Sequence, residues 1–191
     1  MKKAEYLTPV ITAFDKQGNI DDQANKAVYD YLIHSGMDGI VVMGSTGEFF
    51  AMTIEQRKHL IDLAVSHIRK RVTCYVGTGC MSVQETIDLS NYALQAGADA
   101  VMIIGPYYFS MGERQIESYY DQIVPYINGP IFIYSYPGGS GYDMTPAVTV
   151  TLLRKYQNII GYKDTVDTFS HTRSIIEAVK NEFPDFIIYS G

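Results

Sequence analysis

The stretch Ile159-Ile160-Gly161-Tyr162-Lys163-Asp164 contains a run typical of a buried β-strand, and Lys163 closes that run. The chain has nine lysines, and Lys163 is the one that closes such a strand-like run. An ammonium group at the end of an interior strand is costly to desolvate. Burial disfavours the charged form and lowers the pKa of the amine, which turns lysine into a nucleophile for carbonyl carbons. The run therefore predicts either a Schiff-base lysine or a strand-end lysine whose head reaches solvent.

Similar apolar runs recur along the chain, with helical patterns between them. The predicted strands cover residues 7–12, 39–43, 72–77, 100–104, 131–134, 159–163 and 186–189. The predicted helices cover residues 21–35, 53–70, 82–96, 113–127, 145–156 and 169–183. Near-continuous apolar strands that alternate with amphipathic helices indicate an α/β fold with a parallel sheet.

Two parallel architectures compete for this pattern. The length of 191 residues favours a doubly wound open sheet, because a (β/α)8 TIM barrel typically needs about 250 residues. However, no Gly-x-Gly-x-x-Gly fingerprint follows the first strand, where a dinucleotide-binding sheet would carry it. The candidate reactive residues also follow several different strands, which is typical of a barrel.

We therefore predict that the chain is a (β/α)8 TIM barrel seen only through strand 7. Residues 1–191 would form a single, incomplete barrel domain, with strand 8 and C-terminal helices expected beyond residue 191. An unclosed barrel leaves two sheet edges and a core open to water. We expect an isolated chain of this length to be unstable or inactive.

Composition excludes several classes of function. The net charge is −6 and no basic stripe is present, which argues against a nucleic-acid partner. The longest apolar runs are too short to span a membrane. Two cysteines form no disulfide framework, which fits a cytoplasmic protein. The histidines show no metal-ligand spacing, so no metal is predicted, and surface or packing roles are assigned to His34, His59, His67 and His171.

The segment Gly44-Ser45-Thr46-Gly47-Glu48 follows the second predicted strand. Its two glycines permit a tight turn in which successive N–H groups can point at one anion. The hydroxyls of Ser45 and Thr46 add donors. The segment predicts either a carboxylate-binding turn or an ordinary strand-to-helix turn that needed glycine.

Tyrosines stand at the ends of two further predicted strands. Tyr108 follows the fourth strand and Tyr134 closes the fifth. A phenol near a cationic amine can carry a proton or hold an oxyanion, although many tyrosines only pack. Together with Lys163 and the Ser45–Thr46 turn, they suit an α-keto acid whose ketone condenses with the amine. The protonated imine would then accept the electron pair of a breaking C–C bond.

This set of motifs resembles the dihydrodipicolinate synthase/N-acetylneuraminate lyase family of class I pyruvate aldolases. The family pattern Gly-[Ser/Thr]-Thr-Gly-Glu is met by residues 44–48, Pro-Tyr-Tyr by 106–108, Tyr-x-x-Pro by 134–137 and Gly-x-Lys by 161–163. The resemblance runs over the whole chain. It implies a (β/α)8 barrel followed by extra helices, assembled as a homotetramer from two dimers, with no metal or organic cofactor.

The resemblance also implies roles for particular residues. Lys163 would form the imine with pyruvate, and Tyr134 would be the proton shuttle. Ser45 would link Tyr134 to Tyr108 of a neighbouring subunit, and backbone groups of Ser45 and Thr46 would hold the pyruvate carboxylate. The predicted substrate-binding set is completed by Thr8, Gly139, Thr165 and Gly191.

One departure from the family pattern bears on the second substrate. The resemblance implies an arginine two residues past the Tyr-x-x-Pro proline in dihydrodipicolinate synthases, and this chain has Gly139 there. Small residues at this point are expected to leave room for a polyol. The resemblance is therefore closest to aldolases that reversibly cleave a 2-keto-3-deoxy sugar acid, such as 2-keto-3-deoxygluconate, to pyruvate and a hydroxyaldehyde.

Three alternatives stay open at this point. The first is 4-hydroxy-tetrahydrodipicolinate synthase, which condenses pyruvate with aspartate semialdehyde in lysine biosynthesis. The others are an N-acetylneuraminate lyase and a non-catalytic protein that binds keto acids.

Overall fold

A computed structural model of the chain describes residues 5–166 and 168–191. The strands are β1 (Leu7–Pro9), β2 (Gly39–Val42), β3 (Thr73–Gly77), β4 (Ala100–Ile103), β5 (Ile131–Ser135), β6 (Ile159–Asp164) and β7 (Ile187–Ser190). The helices are α1 (Asp22–His34), α2 (Ile54–Ile68), α3 (Val83–Ala96), α4 (Glu113–Ile123), α5 (Pro137–Ser140), α6 (Pro146–Lys155) and α7 (Phe169–Val179). Short 3-10 turns cover Ser45–Gly47, Phe49–Ala51 and Val124–Tyr126. The predicted alternation of strands and helices is confirmed, while α5 and the 3-10 turn Phe49–Ala51 were not predicted.

The first of two compact units comprises Met1–Thr78 and Asn91–Val101. In this unit β1 pairs with β2 and β2 pairs with β3, and both pairings are parallel. All residues of β2 are buried, as expected for a parallel strand covered on both faces. The strand leads directly into the segment that begins at Gly44.

The second unit comprises Gly79–Ser90 and Met102–Gly191. Here β5 pairs with β6 and β6 pairs with β7, again in parallel. The register places Tyr134 opposite Lys163, and Lys163 opposite Tyr189. Since every residue of β5 is buried, the two strand ends that carry Tyr134 and Lys163 are anchored in the core of this unit.

Local sequence signals set where the helices begin and end. Thr53 and Gln56 form a reciprocal capping box at the start of α2. Thr145 caps α6 by accepting from the backbone N–H of Val148, and a proline follows it at the first helical position. Gly36 has a φ of 84° just past α1, which is the left-handed conformation that glycine adopts without strain. These signals were all visible in the sequence.

The described residues have three further properties. No helix in residues 5–166 and 168–191 has the length and apolar character needed to cross a membrane. In the same residues no group of three or more His, Cys, Asp or Glu side chains is placed to hold a metal ion. Cys74 and Cys80 are buried free thiols.

The end of β3 presses closely against the segment that follows β2. A Cβ atom at Gly77 would lie 2.0 Å from the backbone oxygen of Met43. Met43 itself has a φ of 57°, which is uncommon for a residue with a side chain. Glycine at position 77 therefore lets the backbone at Met43 adopt the path that leads into the turn at Gly44.

We expect Gly77→Ala to lower the free energy of unfolding by about 1–3 kcal/mol, because the clash is with backbone and cannot be relieved by a rotamer change. Gly112→Ala is the control, because a Cβ at this position would make an ordinary contact, 3.8 Å from Gln115 Oε1. This substitution should lower the free energy of unfolding by about 0.5 kcal/mol. Urea unfolding of both variants measures the difference. Equal losses in the two variants would contradict the prediction.

Candidate active site

The amine of Lys163 lies over the ring of Tyr134. The two residues face each other in the paired strands β5 and β6, and Lys163 Nζ is 4.3 Å from the ring centroid. Only 8% of Lys163 and 5% of Tyr134 is exposed. The aromatic face attracts the ammonium form of this group and takes the place of part of its water shell.

Burial lowers the pKa of Lys163 from 10.5 to about 8, because desolvation penalises the ammonium form. At pH 7 roughly one amine in ten is then neutral, compared with fewer than one in a thousand for an ordinary lysine. The neutral amine is the form that attacks carbonyl carbon. The lysine near the end of the sixth strand is therefore buried, and its head is not left in solvent.

One residue close to Lys163, Thr165, leaves a polar atom available. The N–H of Thr165 donates to Ser135 O at 3.0 Å, whereas its Oγ1 is buried with no hydrogen-bond partner among the described residues. A Cβ on Gly191 would lie 3.4 Å from Lys163 Cε. Because a buried hydroxyl without a partner is uncommon in native proteins, Thr165 is a candidate for binding a ligand.

A cavity of about 580 Å³ lies beside these residues. One wall is the ring of Tyr136, which stacks on Tyr134 with 6.1 Å between the centroids and 6° between the planes. Hydroxyl groups dominate the polar part of the lining, which consists of Tyr136, Thr165, Val166, Thr168, Phe169, Thr172, Ser190 and Gly191.

Gly139 lies directly against the ring of Tyr136. A Cβ on Gly139 would lie 2.6 Å from two carbons of Tyr136, and the short helix α5 holds the glycine against the ring. The expectation that small residues leave open room at Gly139 is therefore wrong, because Tyr136 fills that space. Sequence analysis gave Tyr136 no role of its own, and the residue lies just past β5, which ends at Ser135.

In the first unit, Ser45 and Thr46 open the 3-10 turn Ser45–Gly47. The backbone oxygen of Gly47 accepts a hydrogen bond from Thr12 Oγ1 at 2.7 Å. In a 3-10 turn the first N–H groups have no partner within the turn itself. The anion-binding role of Ser45 and Thr46 stays a prediction, and Thr12 is a residue in contact with this turn that sequence analysis missed.

Other predicted site residues have local contacts of their own. The hydroxyl of Thr8 donates to Met37 Sδ at 3.0 Å. The ring of Tyr108 meets that of Phe109 edge-on at 4.8 Å, and 79% of Tyr108 is exposed. The proposed roles of Thr8 and Tyr108 in substrate binding and catalysis stay predictions.

The assignment of His171 to a surface or packing role needs correction. Its ring nitrogens lie 2.9 Å from Asp164 Oδ2 and 3.0 Å from Asp143 Oδ1. The two aspartates are far from each other in the chain, so no local pattern could have predicted this bridge.

The fold and the site define an α/β protein with a buried lysine amine near a strand end. A model of the dihydrodipicolinate synthetase family matches residues 2–191. The chain belongs to this family, as the sequence motifs predicted.

Similar proteins include two from Escherichia coli K12. The "Putative 2-dehydro-3-deoxy-D-gluconate aldolase YagE" is 40% identical over 97% of this chain and 61% of its own length. The "Probable 2-dehydro-3-deoxy-D-pentonate aldolase YjhH" is 36% identical over 100% of this chain and 64% of its own length. The chain therefore spans less than two thirds of the length of these relatives.

A solved structure of YagE in complex with pyruvate matches this chain with a TM-score of 0.94. The sequences are 39% identical, and the match covers 98% of this chain and 63% of that one. The similarity confirms the predicted fold class, in which the chain supplies seven successive strands of the family's α/β fold.

We expect Lys163→Met to raise the free energy of unfolding by about 3 kcal/mol at pH 7. The folded-state pKa of about 8 is below the ordinary 10.5, so the unfolded chain binds the proton more tightly. The gain should be full below pH 8, shrink as the pH rises towards 10.5 and vanish above it.

The control is Lys58→Met, because Lys58 Nζ also lies over a tyrosine ring, 5.2 Å from the centroid of Tyr92, but is less buried. Urea unfolding as a function of pH measures both variants. A gain for Lys163→Met that does not change with pH would contradict the burial argument.

Proposed function

We propose that the chain belongs to a class I aldolase that reversibly cleaves a 2-keto-3-deoxy sugar acid to pyruvate and a hydroxyaldehyde. The observation that carries the proposal is the Lys163 amine, buried beside Tyr134 with its pKa lowered to about 8. The names of the two similar E. coli proteins support the substrate class.

The proposed reaction begins when the neutral amine of Lys163 attacks the ketone carbon of the sugar acid. Water leaves and a protonated imine forms. The C3–C4 bond then breaks, its electron pair moves into the imine to give an enamine, and the C4 hydroxyl loses its proton as the aldehyde departs. Protonation of the enamine carbon and hydrolysis by water release pyruvate and the free amine. No step requires a metal or a cofactor.

Tyr134 is the proposed carrier of these protons. Its ring is 4.3 Å from the amine of Lys163, and a phenol beside an amine can pass a proton between the reacting atoms. Following the family resemblance, we assign Ser45 and Thr46 to the pyruvate carboxylate and Tyr108 to a neighbouring subunit of a homotetramer. The exposure of Tyr108 leaves its ring available for such a contact.

The lining of the cavity beside Lys163 supports a polyol in preference to a second carboxylate. Thr165, Thr168, Thr172 and Ser190 supply hydroxyls, and none of the described lining residues is lysine or arginine. Hydroxyls suit the chain of a sugar acid, while a second carboxylate usually requires a charge-assisted partner. Condensation of pyruvate with aspartate semialdehyde is the second candidate function, and Gly139 in place of arginine argues against it.

Further proposals concern the whole protein. A cytoplasmic location fits the two buried free cysteines. The description of residues 1–191 as one incomplete domain stays a prediction.

We expect pyruvate and cyanoborohydride to leave a stable adduct on Lys163, seen by intact mass and peptide mapping. The trapping rate should be half-maximal near pH 8, because the amine must be neutral to attack and its pKa is about 8. Lys163→Arg is the control that keeps a cation and should give no adduct. A half-maximal rate near pH 10.5 would show an ordinary, solvated lysine.

The substrate prediction separates the two candidate functions. We expect the protein to release pyruvate from 2-keto-3-deoxygluconate or the matching pentonate, measured with a coupled pyruvate assay. Condensation of pyruvate with aspartate semialdehyde should be slower by at least about tenfold, since a missing charge-assisted hydrogen bond costs about 1.5–3 kcal/mol. Condensation with aspartate semialdehyde alone would favour 4-hydroxy-tetrahydrodipicolinate synthase.

A further inference from the structure

The carboxylate of Asp164 is the most deeply buried charge next to Lys163. Its side chain has 0% exposure, and such a group must be hydrogen-bonded to be tolerated. Its oxygens accept from Thr172 Oγ1 at 2.6 Å and from the N–H of Val166 at 3.1 Å. The third partner is His171 Nδ1 at 2.9 Å. Asp164 therefore fastens the end of β6 to the first turn of α7.

The other nitrogen of His171 faces a second carboxylate. Nε2 is 3.0 Å from one oxygen of Asp143 and 3.2 Å from the other. The two carboxyl groups therefore contact different nitrogens of one ring, and His171 bridges Asp143 and Asp164. The ring is only 13% exposed.

This bridge joins the segments that follow the two strands of the candidate site. Asp143 lies between α5 and α6, in the segment that follows Tyr134 on β5. Asp164 is the last residue of β6 and is adjacent to Lys163. The same strand ends are linked by the Thr165 N–H, which donates to Ser135 O at 3.0 Å.

We propose that His171 is a positioning residue, which clamps Asp143 to Asp164 and thereby fixes the end of β6 that carries Lys163. Its effect on the reaction rests on the function proposed above. A small displacement of a reacting group can lower a rate by one to two orders of magnitude. Loss of the clamp should therefore slow imine formation more than it weakens the binding of pyruvate.

The test compares Asp143→Ala with Asp22→Ala. Asp22 is a matched control, because it forms an exposed contact of 2.7 Å with His59 in the other unit. Pyruvate trapping on Lys163 gives a maximal rate and a half-saturating pyruvate concentration. We expect Asp143→Ala to lower the maximal rate about tenfold and to change half-saturation less than about twofold, and Asp22→Ala to change neither.

A double-mutant cycle adds a second criterion. His171→Asn keeps a donor for Asp164 but cannot reach Asp143, so it should resemble Asp143→Ala, and combining the two should add little. Asp143→Asn retains an acceptor and should recover part of the rate. A maximal trapping rate for Asp143→Ala within about twofold of that of the unsubstituted protein would overturn the proposal. A variant with a lower rate, weaker pyruvate binding and a lower unfolding midpoint together would also overturn it, because the loss would then be one of general stability.

Hydrogen exchange at the Thr165 amide tests the His171 clamp separately from the proposed aldolase function. If the unsubstituted protein gives no adduct, the proposed function fails, and exchange at the Thr165 amide then decides the clamp. Exchange about tenfold faster in Asp143→Ala, but not in Asp22→Ala, would support the clamp. Unchanged exchange at Thr165 would overturn it.

Discussion

The candidate site depends on the burial of the Lys163 amine against the ring of Tyr134. Parallel pairing of β5 and β6 puts the two residues opposite each other, and a slip of one residue would turn one of them to the opposite face of the sheet. Desolvation then lowers the pKa of the amine to about 8. Desolvation of the ammonium form lowers the stability of the folded chain. The same desolvation increases the fraction of the amine that is neutral, which is the form that can attack a carbonyl carbon.

The described residues that line the cavity beside Lys163 are uncharged, and they shape the cavity through packing and hydroxyl groups. Tyr136 occupies the space that Gly139 provides and forms a wall of the neighbouring cavity. Thr165 has its N–H engaged and its hydroxyl buried without a partner. A buried hydroxyl of this kind costs free energy until a ligand bonds to it.

Much of this arrangement was predictable from the chain alone. Apolar runs separated by capped amphipathic stretches gave the order of strands and helices, with boundaries that differ by a few residues from the observed ones. The glycines around Ser45 and Thr46 predicted a tight turn, and the structure has a 3-10 turn there. The short helix α5 escaped prediction because two of its four residues are glycine, which has a low intrinsic preference for helix.

The sequence by itself determined the alternating α/β pattern and the family, and it singled out Lys163 as the lysine at the end of a buried strand. Only the tertiary structure decided that Tyr136 takes up the space at Gly139 and that His171 spans two distant carboxylates. Strand and helix periods report which face a residue lies on. They do not report which residues from distant segments meet there, because those distances follow from strand register and from the packing of helices on the sheet.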